Sequence, residues 1–162
     1  MADRQALFQG QVDSHRGIII KVVSAFAWQN EDQQDLSQEI TLQLWRAFSR
    51  YDAKRPFSTW MYQVALNTAI SWSRQAKLRK QHSAPADCLS DLPDPKPDQT
   101  DSHALYSLIE SLDELSRALL MLYIEERSHT EIGEILGITP NNVAIKLSRL
   151  KSRLRLEAGQ QN

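Results

Sequence analysis

Residues 139–155 read TPNNVAIKLSRLKSRLR, with five basic side chains (Lys146, Arg149, Lys151, Arg153, Arg155) and no acidic one. These residue types have a particular chemistry. Asn pairs bidentately with the edge of adenine, and Arg or Lys with that of guanine. Arg and Lys also meet phosphates, contacts that position a protein without reading sequence. A polyanion is the natural partner of such a segment. Yet the 162-residue chain has a formal net charge of -1, with 19 basic and 20 acidic residues.

The net value hides segregated blocks. From Lys54 to Ala86 there are six basic residues (Lys54, Arg55, Arg74, Lys77, Arg79, Lys80) and no acid. From Asp87 to Glu114 eight acids face the single Lys96. The carboxy-terminal stretch is basic again. One such run is ordinarily a solvated face. Two on separate candidate helices suggest two polyanion-facing surfaces joined by an acidic connector.

Other chemistries find little support. His15, His82, His103 and His129 are scattered, without a metal-ligand spacing to Cys88 or to acids. Cys88 sits in a proline-rich stretch with no fixed base nearby, which argues against a nucleophile. A lone cysteine allows no intramolecular disulfide. No glycine loop cradles phosphate. Neither an enzyme nor a cofactor or metal protein is expected. The start of the chain lacks a signal-peptide pattern. Its most apolar run, residues 17–28, is broken by Lys21 and falls short of the roughly 20 residues that span a bilayer. These features suggest a soluble intracellular protein without membrane insertion.

The elements that must position the basic residues follow from pattern. Residues 85–102, PADCLSDLPDPKPDQTDS, hold four prolines among acids and read as an extended linker. Glycine is scarce and strand alternation absent, so both flanking halves read as helical. The first half suggests helices over 6–29, 33–49 and 59–80, with Gly10 and Gly17 as bends and Ser58 as an N-cap. Leu36, Ile40, Leu44 and Phe48 recur every four residues and mark a buried stripe. In the second half, Ser111 with Glu114 and Ser128 with Glu131 fit capping boxes. Gly137 closes a short helix over 131–136, and Thr139-Pro140 opens the next. There Val143, Leu147, Leu150 and Leu154 point inward, leaving Asn141, Asn142, Ile145, Lys146, Ser148, Arg149 and Arg153 outward. A short helix, a Gly turn and a basic helix make a helix-turn-helix, whose second helix fits a DNA major groove. A helical hairpin with a charged outer face is the plainer alternative.

At these residues the sequence resembles an extracytoplasmic-function sigma factor of the sigma-70 family. DLSQEITLQLWRAFSRYDAKRPFSTWMYQVALNTAISWSRQAKLRK (35–80) is similar to that family's region two. SLDELSRALLMLYIEERSHTEIGEILGITPNNVAIKLSRLKSRL (111–154) is similar to its region four. The resemblance implies an all-α fold of two small helical domains on a flexible linker, divided as 1–84, 85–102 and 103–162. It implies a non-enzymatic function: binding core RNA polymerase and directing promoter recognition, strand opening and transcription initiation. The implied partners are core polymerase (β′ clamp and β flap), promoter DNA and an anti-sigma factor.

Residue roles are carried over from the same resemblance. Asp35, Gln38, Glu39, Leu42 and Trp45 match the helix that docks on the β′ clamp. Tyr51 to Thr59, with Tyr51, Lys54, Arg55 and Phe57, match the loop receiving a flipped base of the minus-ten element. Asn67 matches an asparagine facing that strand. Arg74, Lys77, Arg79 and Lys80 match a basic helix end near DNA backbone. Asn141, Asn142, Ile145, Lys146 and Arg149 match the helix reading the minus-thirty-five element, with Arg153 on phosphate. The chain departs from the family pattern at Pro56, Ser71, Asp113 and Ala144 to Lys146, changes that bear on the promoter sequence rather than on the fold. Two rivals remain open: a stand-alone helix-turn-helix repressor, and an interaction protein that mimics a sigma factor. Residues 35–45 discriminate, because a repressor does not need a polymerase-docking helix.

Overall fold

A computed structural model describes residues 2–82 and 107–159. All regular elements among them are helical. The amino-terminal half contains α1 (Ala2–Ser14), α2 (Arg16–Phe26), α3 (Asn30–Ala47) and α4 (Phe57–His82), with a 3-10 turn at Phe48–Arg50. The carboxy-terminal half contains α5 (Glu114–Ile124), α6 (His129–Leu136) and α7 (Pro140–Gly159), preceded by helical residues 107–111.

The first helix suggested by the pattern is two helices. The break falls at His15, not at Gly10 or Gly17, both of which lie inside helices. The His15 ring nitrogen Nδ1 lies 2.9 Å from the Gln11 carbonyl, and the chain turns there with His15 N–H on Val12 O. After the turn, Ile18, Ile19, Val22, Val23 and Phe26 all face inward. Gln33 donates to the Ala27 carbonyl at 3.0 Å and fixes the corner into α3. On α3, Leu36, Ile40 and Leu44 are wholly buried, as their spacing requires.

Helix α4 begins at Phe57, and its first bond runs from Trp60 N–H to Pro56 O. Ser58 is therefore inside the helix and is not its cap. Proline suits this boundary because it has no N–H to lose. At about 1.5 Å per residue the 26-residue helix is about 39 Å long. It packs on α2 and α3 and also on α5 and α6, so it serves both halves. The buried residues of the two halves form one hydrophobic cluster.

The carboxy-terminal half follows its N-cap and glycine signals at α6 and α7, while the Glu131 carboxylate of the expected Ser128 box pairs with Arg127 at 3.8 Å. Ser128 accepts from Glu131 N–H at 3.2 Å, and Thr139 accepts from Asn142 N–H at 3.1 Å. Gly137 adopts φ 73°, the left-handed conformation that closes α6. The Ser111 box does not form: Asp113 occupies the cap position, and the Ser111 hydroxyl donates to Leu108 O. Glu114 points away from that helix end toward α4, for reasons given below. On α7, Val143, Leu147 and Leu150 are buried and Leu154 is half-buried. The linker assigned to 85–102 lies outside the described residues, as does Cys88. Among the described residues no helix is long and apolar enough to cross a membrane.

Candidate nucleic-acid and polymerase interface

Three surfaces gather the residues singled out from sequence. The first is a groove of about 810 Å³ between α3 and α4. Asp35, Gln38, Glu39 and Leu42 line one wall; Asn67, Ser71, Trp72 and Arg79 line the other. Asn67 is exposed, one helical face away from the buried Leu66 and Ala69. Two sets of residues with separate expected roles thus share one cleft. Glu39 accepts from Gln43 at 2.8 Å, which holds its carboxylate along the wall. Trp45 stands apart from this groove. Its ring packs edge-on against Phe8 of α1 at 5.1 Å, and the Arg4 guanidinium lies 5.2 Å from its centroid. Only part of Trp45 is left to meet a partner.

The second surface is the loop between α3 and α4. Tyr51 stacks on Phe48 and touches both Phe57 and Trp60, and its hydroxyl donates to Arg55 O at 2.8 Å. Phe57 is buried between His15, Tyr51 and Trp60. It keeps only 7% of its surface exposed in this conformation. An apolar ring next to three others gains more from packing than from exposure. Residues 52–56 are exposed, with Lys54 and Arg55 as the cations of this loop and Asp52 as its acid.

The third surface is the outer face of α7. Asn141, Asn142, Ile145, Lys146, Ser148 and Arg149 are exposed in one band, opposite Val143, Leu147 and Leu150. The approach of α6 to α7 depends on Gly133: a Cβ there would sit 2.6 Å from Ile138 O. Sequence reading passed over Gly133, since a glycine inside a helix gives no turn signal of its own. Farther along, Arg153 Nε is paired with Glu157 Oε1 at 2.9 Å, so its charge is partly neutralised. Arg155 is exposed.

A fourth feature had no signal in the sequence. The basic end of α4 is not wholly free: Lys77 Nζ lies 2.7 Å from Glu114 Oε1. Ser73 Oγ also meets that oxygen, at 3.4 Å. Burial pushes the Glu114 carboxyl up, but Lys77, a backbone N–H and nearby Arg74 outweigh it and hold it below the usual value. Arg117, nearly buried, lies against Phe26 at 5.3 Å and Trp28 at 5.1 Å and donates to Glu110 O and Leu112 O. Burial lowers its pKa. No spacing within one half can reveal contacts made between halves.

Comparison with known proteins agrees with the geometry. Residues 11–79 match Sigma-70 region 2, and residues 102–154 match Sigma-70, region 4. The ECF RNA polymerase sigma factor ShbA of Streptomyces griseus is 30% identical over 137 residues, covering 78% of this chain and 72% of that protein. The chain belongs to the extracytoplasmic-function sigma factors. The related factor SigW of Bacillus subtilis is 27% identical over 167 residues, covering 93% of this chain and 88% of SigW. The chain spans 33% of the length of a further relative, "Probable RNA polymerase sigma factor RfaY" of Xanthomonas campestris, at 26% identity. The fold is that of the sigma factor RpoE in its co-crystal structure with the anti-sigma factor NepR from Bartonella quintana. The TM-score is 0.67 at 16% identity, with 98% of each chain covered. As a sigma factor the protein is not an enzyme; RNA synthesis belongs to the polymerase.

Proposed function

We propose that this sigma factor engages core RNA polymerase through the α3 wall of the 810 Å³ groove and promoter DNA through α4 and α7. One observation carries the reading. The exposed band of α7 holds Asn and basic side chains of the kind that pair with base edges, and it sits on a helix-turn-helix whose N-caps and Gly turn are formed. Asp35, Gln38, Glu39 and Leu42 are the docking contacts, with a lesser share for Trp45. Asn67 and the basic groups of α4 face the minus-ten region. Binding to phosphates is driven by counterion release and is salt-sensitive. The two working units are residues 1–84 and 103–162, with 85–102 between them. The site of action is the cytoplasm, where polymerase and promoters are. A solved relative is held by an anti-sigma factor, and this chain has a partner of the same kind.

Run-off transcription with core polymerase on genomic fragments tests the reading. Discrete transcripts that require the protein support it. Binding to DNA with none to core polymerase would instead indicate a repressor.

A further inference from the structure

The seam between the two halves is polar at both ends. At one end, Glu114 of α5 meets Lys77 and Ser73 of α4. At the other, Glu125, just past α5, accepts from the Tyr62 hydroxyl of α4 and pairs with Lys21 of α2 at 3.0 Å. From Tyr62 to Ser73 is 11 residues, and from Glu114 to Glu125 is 11 residues. Helices α4 and α5 therefore run antiparallel in matched register, with a carboxylate at each end of the shared stretch. The Arg127 guanidinium lies 5.0 Å from the Tyr62 ring. Between Glu125 and Arg127, Glu126 adopts φ 60°, where glycine ordinarily sits. Arg127 N–H reaches Leu122 O and Glu126 N–H reaches Tyr123 O, so this strained turn aims its neighbours at Tyr62.

In both ion pairs the lysine is more than half exposed while its carboxylate is nearly covered, so these contacts lie at the edge of the seam and not in its core. Seams between separable units are more polar than cores. Lys77 is also more than half exposed, so a phosphate can reach it and compete with Glu114. We infer that Glu114 and Glu125 form a two-point clasp that closes the carboxy-terminal half onto α4 and withholds Lys77 from DNA by occupying its ammonium, so that a phosphate must displace Glu114 to bind it. The withholding of Lys77 rests on the role for α4 given above; the clasp itself does not.

The test uses the full chain and the variant Glu114→Gln/Glu125→Gln. Without DNA, amide hydrogen exchange is expected to quicken in α5 and the facing turns of α4, at unchanged helix content by circular dichroism. On a generic duplex the variant is expected to bind more tightly, with a salt slope steeper by about one unit, the share of one released lysine. Lys77→Gln should quicken exchange without steepening the slope. As a control for folding, Lys77→Glu/Glu114→Lys should restore slow exchange. Exchange at the wild-type rate in the double glutamine variant overturns the clasp. Quickened exchange with unchanged DNA affinity overturns the withholding of Lys77. Failure of wild type to support transcription would fail the functional reading and leave the exchange result standing.

Discussion

The Tyr62 hydroxyl donates to the Glu125 carboxylate across the seam between the two halves, 63 residues apart in sequence. Burial first, and then Glu125, hold the phenol well above its ordinary value of 10.0. The neutral phenol is thus the form that the fold favours. Its contribution is complete below pH 10.0 and is lost as pH rises above it. In an alkaline absorbance titration, one of the four tyrosines is expected to ionise only as the protein unfolds. Tyr62→Phe should cost about 1.5–3 kcal/mol in urea unfolding, the range for a hydrogen bond to a charged group. A smooth titration of all phenols before unfolding would contradict this.

Glu114 governs the acid side. Its carboxyl lies below the usual 4.5, so it holds its charge longer in the folded than in the unfolded chain. Its stabilising share is then complete above pH 4.5 and is lost as pH falls through the folded value. Stability is expected to fall more steeply below that pH in wild type than in Glu114→Gln. Identical acid limbs in the two proteins would assign the acid response to other carboxylates.

Gly133 and Gly137 make separable demands on the helix-turn-helix. A methyl at position 133 meets the Ile138 carbonyl at 2.6 Å and Pro140 N at 3.4 Å, both backbone atoms that cannot swing aside. Overpacking of this kind costs about 1–3 kcal/mol. At position 137 there is open space, but φ is 73°. There Ala costs about 1–2 kcal/mol through backbone conformation alone. Gly133→Ala should also alter the angle of α7 and weaken DNA binding beyond its effect on stability. Gly137→Asn, a residue tolerated in left-handed turns, should be milder than Gly137→Ala. Thermal melts of the three variants decide the order.

Much of this structure was legible in sequence, for local reasons. Ser128, Thr139, Pro140 and Gly137 act on their own helix ends, so their spacing was sufficient. The stripes on α3 and α7 gave the inward faces for the same reason. What local pattern could not supply was the competition for side chains. Ser111 and Glu114 fit a capping box, yet Lys77 offers the glutamate a charged partner and the box is not made. The rings of Tyr51 and Trp60 that enclose Phe57 are likewise contacts that spacing alone does not reveal. His15 broke a helix that two glycines were expected to break, because a glycine weakens a helix without forcing it to end.

On the proposed function, the exposed side chains of α7 divide into residues that read and residues that hold. Asn142 and Lys146 are four apart, both exposed, and flank the buried Val143 and Leu147. Helix geometry puts them one above the other on the groove face. Ile145 is 42% exposed beside them, suited to apolar contact with a thymine methyl. Asn142→Ala or Lys146→Ala should therefore lower affinity for the native promoter by about 1–3 kcal/mol and relax preference at one base pair. Arg153 differs because Glu157 already holds it at 2.9 Å. Its charge is shared between that carboxylate and any phosphate. Arg153→Ala should weaken all sequences alike and reduce the salt slope by less than the one unit or so expected of a free cation. In a Glu157→Gln background the same change should recover about that full unit. A randomised minus-thirty-five library, probed at two salt concentrations with wild type and the five variants, Glu157→Gln alone included, measures both effects. Altered sequence preference in Arg153→Ala, with none in Asn142→Ala or Lys146→Ala, would mean that α7 enters the groove by its other end.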